Sequence, residues 1–149
     1  MPEEDTTTRS DLPAISAVLD AVTKAVRNND VDAFLVHCAP DVVFFDMSPP
    51  LQYQGQAALR RNWALALGSF EGPIEYELDH LDIAVSGDVA FSRSLARFGG
   101  MTKDGKHVMN RLRLTFGFRK KDGRWAIIHE HMSVPIDIES GQPQFQLDA

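Results

Sequence analysis

Cysteine is almost missing from this chain, with Cys38 alone among 149 residues. A single cysteine excludes an internal disulfide. Within Phe34-Leu-Val-His-Cys38 it reads as a small core residue rather than a nucleophile. Positive charge is also scarce: 15 Lys and Arg against 21 Asp and Glu leave a formal net charge of −6. That balance counts against a nucleic-acid partner, whose phosphates need a basic surface. It counts equally against docking on an anionic membrane. No apolar run approaches membrane-spanning length. The N-terminus, Met1-Pro-Glu-Glu-Asp-Thr-Thr-Thr, lacks the apolar stretch of a secretory signal, so the expected compartment is the cytoplasm. The remainder, 44% hydrophobic and 24% charged, suits one soluble domain.

The pattern predicts a polar, mobile tail over 1–10, a single domain over 11–137 and a loose tail over 138–149. Ile15, Val18, Leu19, Val22 and Val26 recur at helical spacing after Ser10 or Asp11, with Pro13 in the first turn. Asp30 caps a short helix from Val31 to His37, which Pro40 prevents from continuing. Asp41 to Asp46 is rich in β-formers and reads as a strand. A Pro-rich loop follows, and Gln56 to Leu67 is a third helix, with Leu59, Trp63 and Leu67 on one face. From Ile74 the period becomes two. Ile74, Tyr76 and Leu78 alternate, then Leu81, Ile83 and Val85, and the slip at Asp79-His80 predicts a β-bulge. Strands from Val89 to Phe98, His107 to Arg119 and Trp125 to Ser133 complete the domain, joined by two Asp-Gly turns. Helices first and antiparallel strands after give an α+β fold, with helices on one face of a bent sheet whose open end makes a pocket.

Leu112, Leu114, Phe116 and Phe118 share one face and are expected inside, leaving Arg111, Arg113, Thr115 and Gly117 on the other. If Asp104-Gly105 is a two-residue turn, Arg97 pairs with Leu112 and Arg93 with Phe116. Both arginines would then lie on the apolar face and need an anionic partner. A register shifted by one residue puts both on the surface instead. In the last strand Trp125, Ile127, His129 and His131 alternate with Ala126, Ile128, Glu130 and Met132, and both faces are partly apolar. One face would pack on the core and the other on a partner subunit.

Arg113-x-Thr115, Asp122-Gly123-x-Trp125-x-Ile127 and His129-x-His131-x-Ser133-x-Pro135 resemble the SnoaL-like branch of the nuclear transport factor 2-like superfamily. They also resemble the association domain of calcium/calmodulin-dependent kinase II. The resemblance runs from the first helix through Pro135. It implies a cystatin-like cone, three N-terminal helices packed on a strongly curved, mostly antiparallel sheet. Superfamily members include isomerases, dehydratases, cyclases, hydrolases and non-catalytic hubs, so fold alone does not select among them. The resemblance implies that Ile128, Glu130 and Met132 line the pocket while Trp125, His129 and His131 face a partner. Arg97 matches a pocket arginine of the kinase hub, whereas Phe116 and Met132 stand where the hub has two more. Against ketosteroid isomerase, Asp46 matches the catalytic base, but Val22 and Leu114 replace its two oxyanion donors.

Asp46, after Phe44-Phe45 and before the Pro-rich loop, is the expected general base, since an apolar pocket raises a carboxyl pKa. Read only as structure, it is a strand-end residue capping the loop. Glu130 is the second catalytic candidate, paired with Arg97, and Arg93, Tyr53, Trp63, Ile128 and Met132 are the expected substrate contacts. His129 and His131 share a strand face at a spacing that suits metal ligands, but no third ligand is evident, and a subunit interface accounts for them. The expectation is a small-molecule pocket protein without metal or cofactor, a homodimer through its sheet, taking a small apolar or amphipathic ligand. It works as an isomerase, dehydratase or cyclase-type enzyme or, alternatively, as a non-catalytic binding or oligomerisation domain.

Overall fold

A computed structural model describes residues 6–149, with side chains from Asp11 onward. Met1 to Asp5, half of the expected N-terminal tail, lie outside the described residues. Helix α1 spans Thr6–Arg27, so it begins before Ser10 and carries Pro13 inside it. Its apolar stripe, Ile15, Leu19, Val22 and Val26, is buried. Helix α2, Val31–Leu35, is capped by Asp30, whose side chain accepts from the Ala33 amide at 3.0 Å. Helix α3, Gln56–Leu67, stops at Gly68 and buries Ala58, Leu59 and Leu67.

The strands are β1 (Cys38–Phe45), β2 (Tyr53–Gln54), β3 (Phe70–Ser86), β4 (Val89–Thr102), β5 (His107–Lys121) and β6 (Arg124–Ser133). They form one sheet in the order β2-β1-β6-β5-β4-β3, with β1 parallel to β6 and every other pair antiparallel. The fold is the expected α+β cone, helices against the concave face of a curved sheet. Besides a register shift between Cys38 and Val43 in the β1–β6 pairing, three interruptions in the antiparallel pairs bend the sheet. The register slips between Glu71 and Glu75, between Asp79 and Asp82 where His80 takes φ 54°, and opposite Gly117 and Phe118. Each extra residue kinks its strand and increases the twist.

The third slip decides the site. Phe118 pairs with Ile127, but Gly117 pairs with His129, so Ile128 is the unpaired residue. Side-chain parity inverts across it. Trp125 and Ile127 point inward before the bulge, and both are buried. Glu130 and Met132 point inward after it, beside Phe116 and Leu114. Trp125, expected outside, is therefore in the core, while His129 and His131 face outward as expected. At the head of this hairpin Asp122 and Gly123 take φ 51° and 75°, the two positive values that a tight two-residue turn requires.

The β4–β5 hairpin differs from the expected register. Its loop holds three residues, with Gly105 at φ 83°, and Thr102 N donates to Lys106 O at 2.7 Å. The added residue pairs Arg97 with Arg111 and Arg93 with Thr115. Both arginines thus lie on the outer face. The segment after Ser133 is tied back to the sheet. Ile136 bridges Pro143, and Arg111 N donates to Phe145 O at 2.8 Å along the part of β5 that β6 leaves free. No helix among the described residues is long and apolar enough to cross a membrane.

Candidate functional site

Between α3, the end of α1 and the concave sheet lies a cavity of about 120 Å³. Its walls are mostly apolar, with Phe34, Phe44, Leu59, Phe98, Leu112 and Met132 among them. Trp63 lines it too, and its indole N–H donates to Asn29 Oδ1 at 2.8 Å, which ties α3 to the end of α1. Four polar side chains enter this apolar space: Asp46, Asn62, Tyr76 and Glu130. A larger hollow of about 390 Å³ between α1 and β3 is rimmed by the exposed Asp20, Lys24, Arg27 and Glu77 and encloses no buried ionisable group.

Asp46 follows directly on β1, whose last residues pair with β6 as Phe44 with Glu130 and Phe45 with His131. Its Oδ1 accepts the Met47 amide at 2.6 Å and its Oδ2 accepts the Asn62 side-chain amide. Each carboxylate oxygen thus has an N–H donor, an arrangement that suits an ionised acceptor. Glu130 differs. It is half-buried, lines the cavity and makes no side-chain hydrogen bond to the described residues. Burial, then the negative charge of Asp46, push its pKa up to about 8. Tyr76 is buried, and burial and Glu130 raise its hydroxyl well above the usual phenol range. The same two causes push the Cys38 thiol up to about 12, consistent with a buried, unreactive side chain. The result is an inward Glu130 with a raised pKa beside a hydrogen-bonded Asp46 in one apolar space.

Of the expected site residues, the fold brings Asp46, Glu130, Trp63 and Met132 together. Four do not join them. Arg93 pairs with Asp82 at 3.1 Å and Arg97 with Glu77 at 3.6 Å, both on the exposed outer face, because the three-residue loop shifts the register. The expected Glu130–Arg97 pair is therefore absent, the two lying on opposite faces. Tyr53 stacks on Phe44, ring centroids 4.7 Å apart, and donates to Pro49 O at 2.6 Å, outside the cavity lining. Ile128 occupies the bulge and lies towards Gly117 rather than in the cavity. Val22 and Leu114, which stand where the isomerase has its oxyanion donors, are core residues.

Sequence reasoning missed Asn62 and Tyr76. Asn62 falls three residues after Leu59, on the apolar stripe of α3, and a polar residue on such a stripe is a usable signal. Tyr76 sits within the Ile74–Leu78 alternation, where a phenol reads as ordinary core. Among the described residues no group of three His, Cys, Asp or Glu could hold a metal ion. His129 Nδ1 instead bonds the Val43 carbonyl oxygen at 2.7 Å.

Comparison with known proteins agrees with this architecture. The chain is similar over 91% of its length, and 94% of the other's, to an NTF2-like protein of unknown function from Pseudomonas putida KT2440, with 32% identity and a TM-score of 0.82. A proposed aromatic ring hydroxylase from Novosphingobium aromaticivorans matches with 26% identity, TM-score 0.72, over 83% of this chain and 87% of that one. A proposed calcium/calmodulin-dependent protein kinase II association domain from Xanthomonas campestris shares the fold at 20% identity, TM-score 0.72, over the same two shares. No curated protein matches by sequence. The model of the SnoaL-like domain matches residues 15–137, and the chain belongs to that family, within the NTF2-like superfamily.

Proposed function

We propose that this protein is a cofactor-independent enzyme of isomerase, dehydratase or cyclase type, moving protons on a small apolar or amphipathic molecule. Asp46 is the general base. Glu130 is the acid that supplies or returns the proton. The observation that carries this reading is the pairing of an N–H-bonded Asp46 carboxylate with an inward Glu130 whose pKa is raised to about 8. A general acid works best when its pKa lies near the working pH, and Glu130 meets that condition. Proton transfers of this kind need no cofactor. Small ketones, enols, epoxides and secondary alcohols are the compounds to screen. For any compound turned over, Asp46→Asn is expected to lower kcat by about 100-fold or more. Wild-type rate should fall as pH rises through about 8, where Glu130 gives up its proton, and Glu130→Gln should remove that fall. An unchanged rate in Asp46→Asn removes Asp46 from the mechanism.

We also infer a homodimer through the outer face of the sheet. A strip of Val43, Phe45, Thr115, Gly117, His129 and His131 carries no Asp, Glu, Lys or Arg and includes edge-to-face contacts of Phe45 with both histidine rings, at 4.7 and 5.3 Å.

A further inference from the structure

The charge around the cavity is one-sided. Five inward aromatic rings contribute to its lining: Phe34, Phe44, Trp63, Tyr76 and Phe98. The ionisable groups there are two carboxyls and a phenol, and none of the lining residues is Lys, Arg or His. The guanidinium groups of β4 and β5 are on the other side of the sheet and held by acids, Arg93 by Asp82, Arg97 by Glu77 and Arg111 by Asp79, and the exposed Arg27 of α1 donates to the Tyr76 backbone oxygen at 2.7 Å without joining the lining. The two histidines of β6 also face outward.

Such a space discriminates by charge. Aromatic faces attract a cation through the ring quadrupole, most strongly where water is excluded. The Asp46 carboxylate adds to that attraction, and low polarity strengthens it. A bound anion would meet Asp46 with no cation in the lining to offset the repulsion.

We propose that the cavity is a site for positive charge on a small, aromatic-sized ligand. This preference rests on the lining and not on the acid–base reading above.

The test is a binding series of one size and three charges: benzylammonium, benzyl alcohol and benzoate, titrated into the wild-type protein at pH 7 by calorimetry. Benzylammonium is expected to bind at least ~10-fold more tightly than benzyl alcohol, in line with a desolvated cation–π contact. Benzoate is expected to bind most weakly. Asp46→Asn and Phe98→Leu should each lower the ratio of benzylammonium affinity to benzyl alcohol affinity. Equal affinity for the cation and the alcohol, or tighter binding of benzoate, overturns the proposal. That failure would leave intact any loss of turnover in Asp46→Asn. Conversely, a cation preference together with full activity in Asp46→Asn would uphold the charge site and sink the base.

Discussion

At the scale of single residues, Glu130 concentrates the physical argument. An inward carboxyl in apolar surroundings keeps its proton because the charged form would lose hydration without gaining a partner. Asp46 adds repulsion, and Tyr76 and Cys38, the other titratable groups that respond to Glu130, offer no positive charge. The consequence for stability has a definite sign. In the unfolded chain a glutamate releases its proton near 4.5, whereas in the folded chain Glu130 does so near 8. Between those values the native state binds the extra proton, so this residue's contribution to stability falls as pH rises across the window. Glu130→Gln should remove that fall. Urea unfolding at pH 5 and pH 9 should show wild type losing a few kcal/mol relative to the variant, about 1.4 per pH unit across the window. Equal pH dependence of the two proteins would show that Glu130 is ionised in the fold at neutral pH. The position of Asp46 at the cavity was legible from its place after Phe44-Phe45. The inward turn of Glu130 was legible only through family resemblance, because alternation alone cannot register an unpaired Ile128.

At the scale of elements, the order of helices and strands and the bulge at His80 could be read directly from periodicity. The β4–β5 register could not. Asp-Gly occurs in two-residue and three-residue loops alike, and a difference of one residue sends Arg93 and Arg97 to the opposite face. Once outside, they complete a cross-strand ladder with Glu77, Asp79 and Asp82 of β3 that compensates the adjacent Arg97 and Arg111. Another long-range link was invisible in the sequence. Asp11, on α1, is buried and accepts from Lys120 Nζ at 3.2 Å and from Trp125 Nε1 at 3.1 Å, joining the helix to the β5–β6 hairpin. The Lys120 ammonium also lies 5.6 Å from the Trp125 ring centroid. Removing one partner of a buried pair strands the other's charge, so Asp11→Ala should cost about 3 kcal/mol. Lys120→Met with Asp11→Leu should restore part of that loss, because the isolated charge is then gone. Chemical denaturation of the three proteins measures both effects, and a loss below about 0.5 kcal/mol in Asp11→Ala would show that solvent already screens the pair.

At the scale of the whole molecule, the cone separates two kinds of surface. The concave side carries the cavity, and the convex side divides between the charged ladder near β3 and the strip without formal charges around β6. A partly exposed strip of this composition at the middle of a sheet is a candidate for burial against a second copy, since a two-fold axis makes one patch serve both subunits. Gly117 contributes flatness there: a Cβ at that position would lie 3.4 Å from the His129 Cβ. A stable pairing has to bury roughly 800 Å² on each subunit, so Thr115, His131 and Phe45 would have to be covered together with part of the ladder's rim. The exposed His131 is the place to test this, because a change there leaves the monomer's core untouched. Wild type should sediment at twice the 16.6 kDa chain mass at micromolar concentration. His131→Glu sets two carboxylates across the axis and should return the protein to 16.6 kDa with its thermal unfolding otherwise preserved. A wild-type protein that sediments at the single-chain mass would rule out pairing through this face. Because the cavity lies on the opposite side of the sheet, ligand affinity should be the same in His131→Glu and wild type; a parallel loss of both would mean that pairing shapes the cavity through β6, the strand whose two faces carry Glu130 and His131.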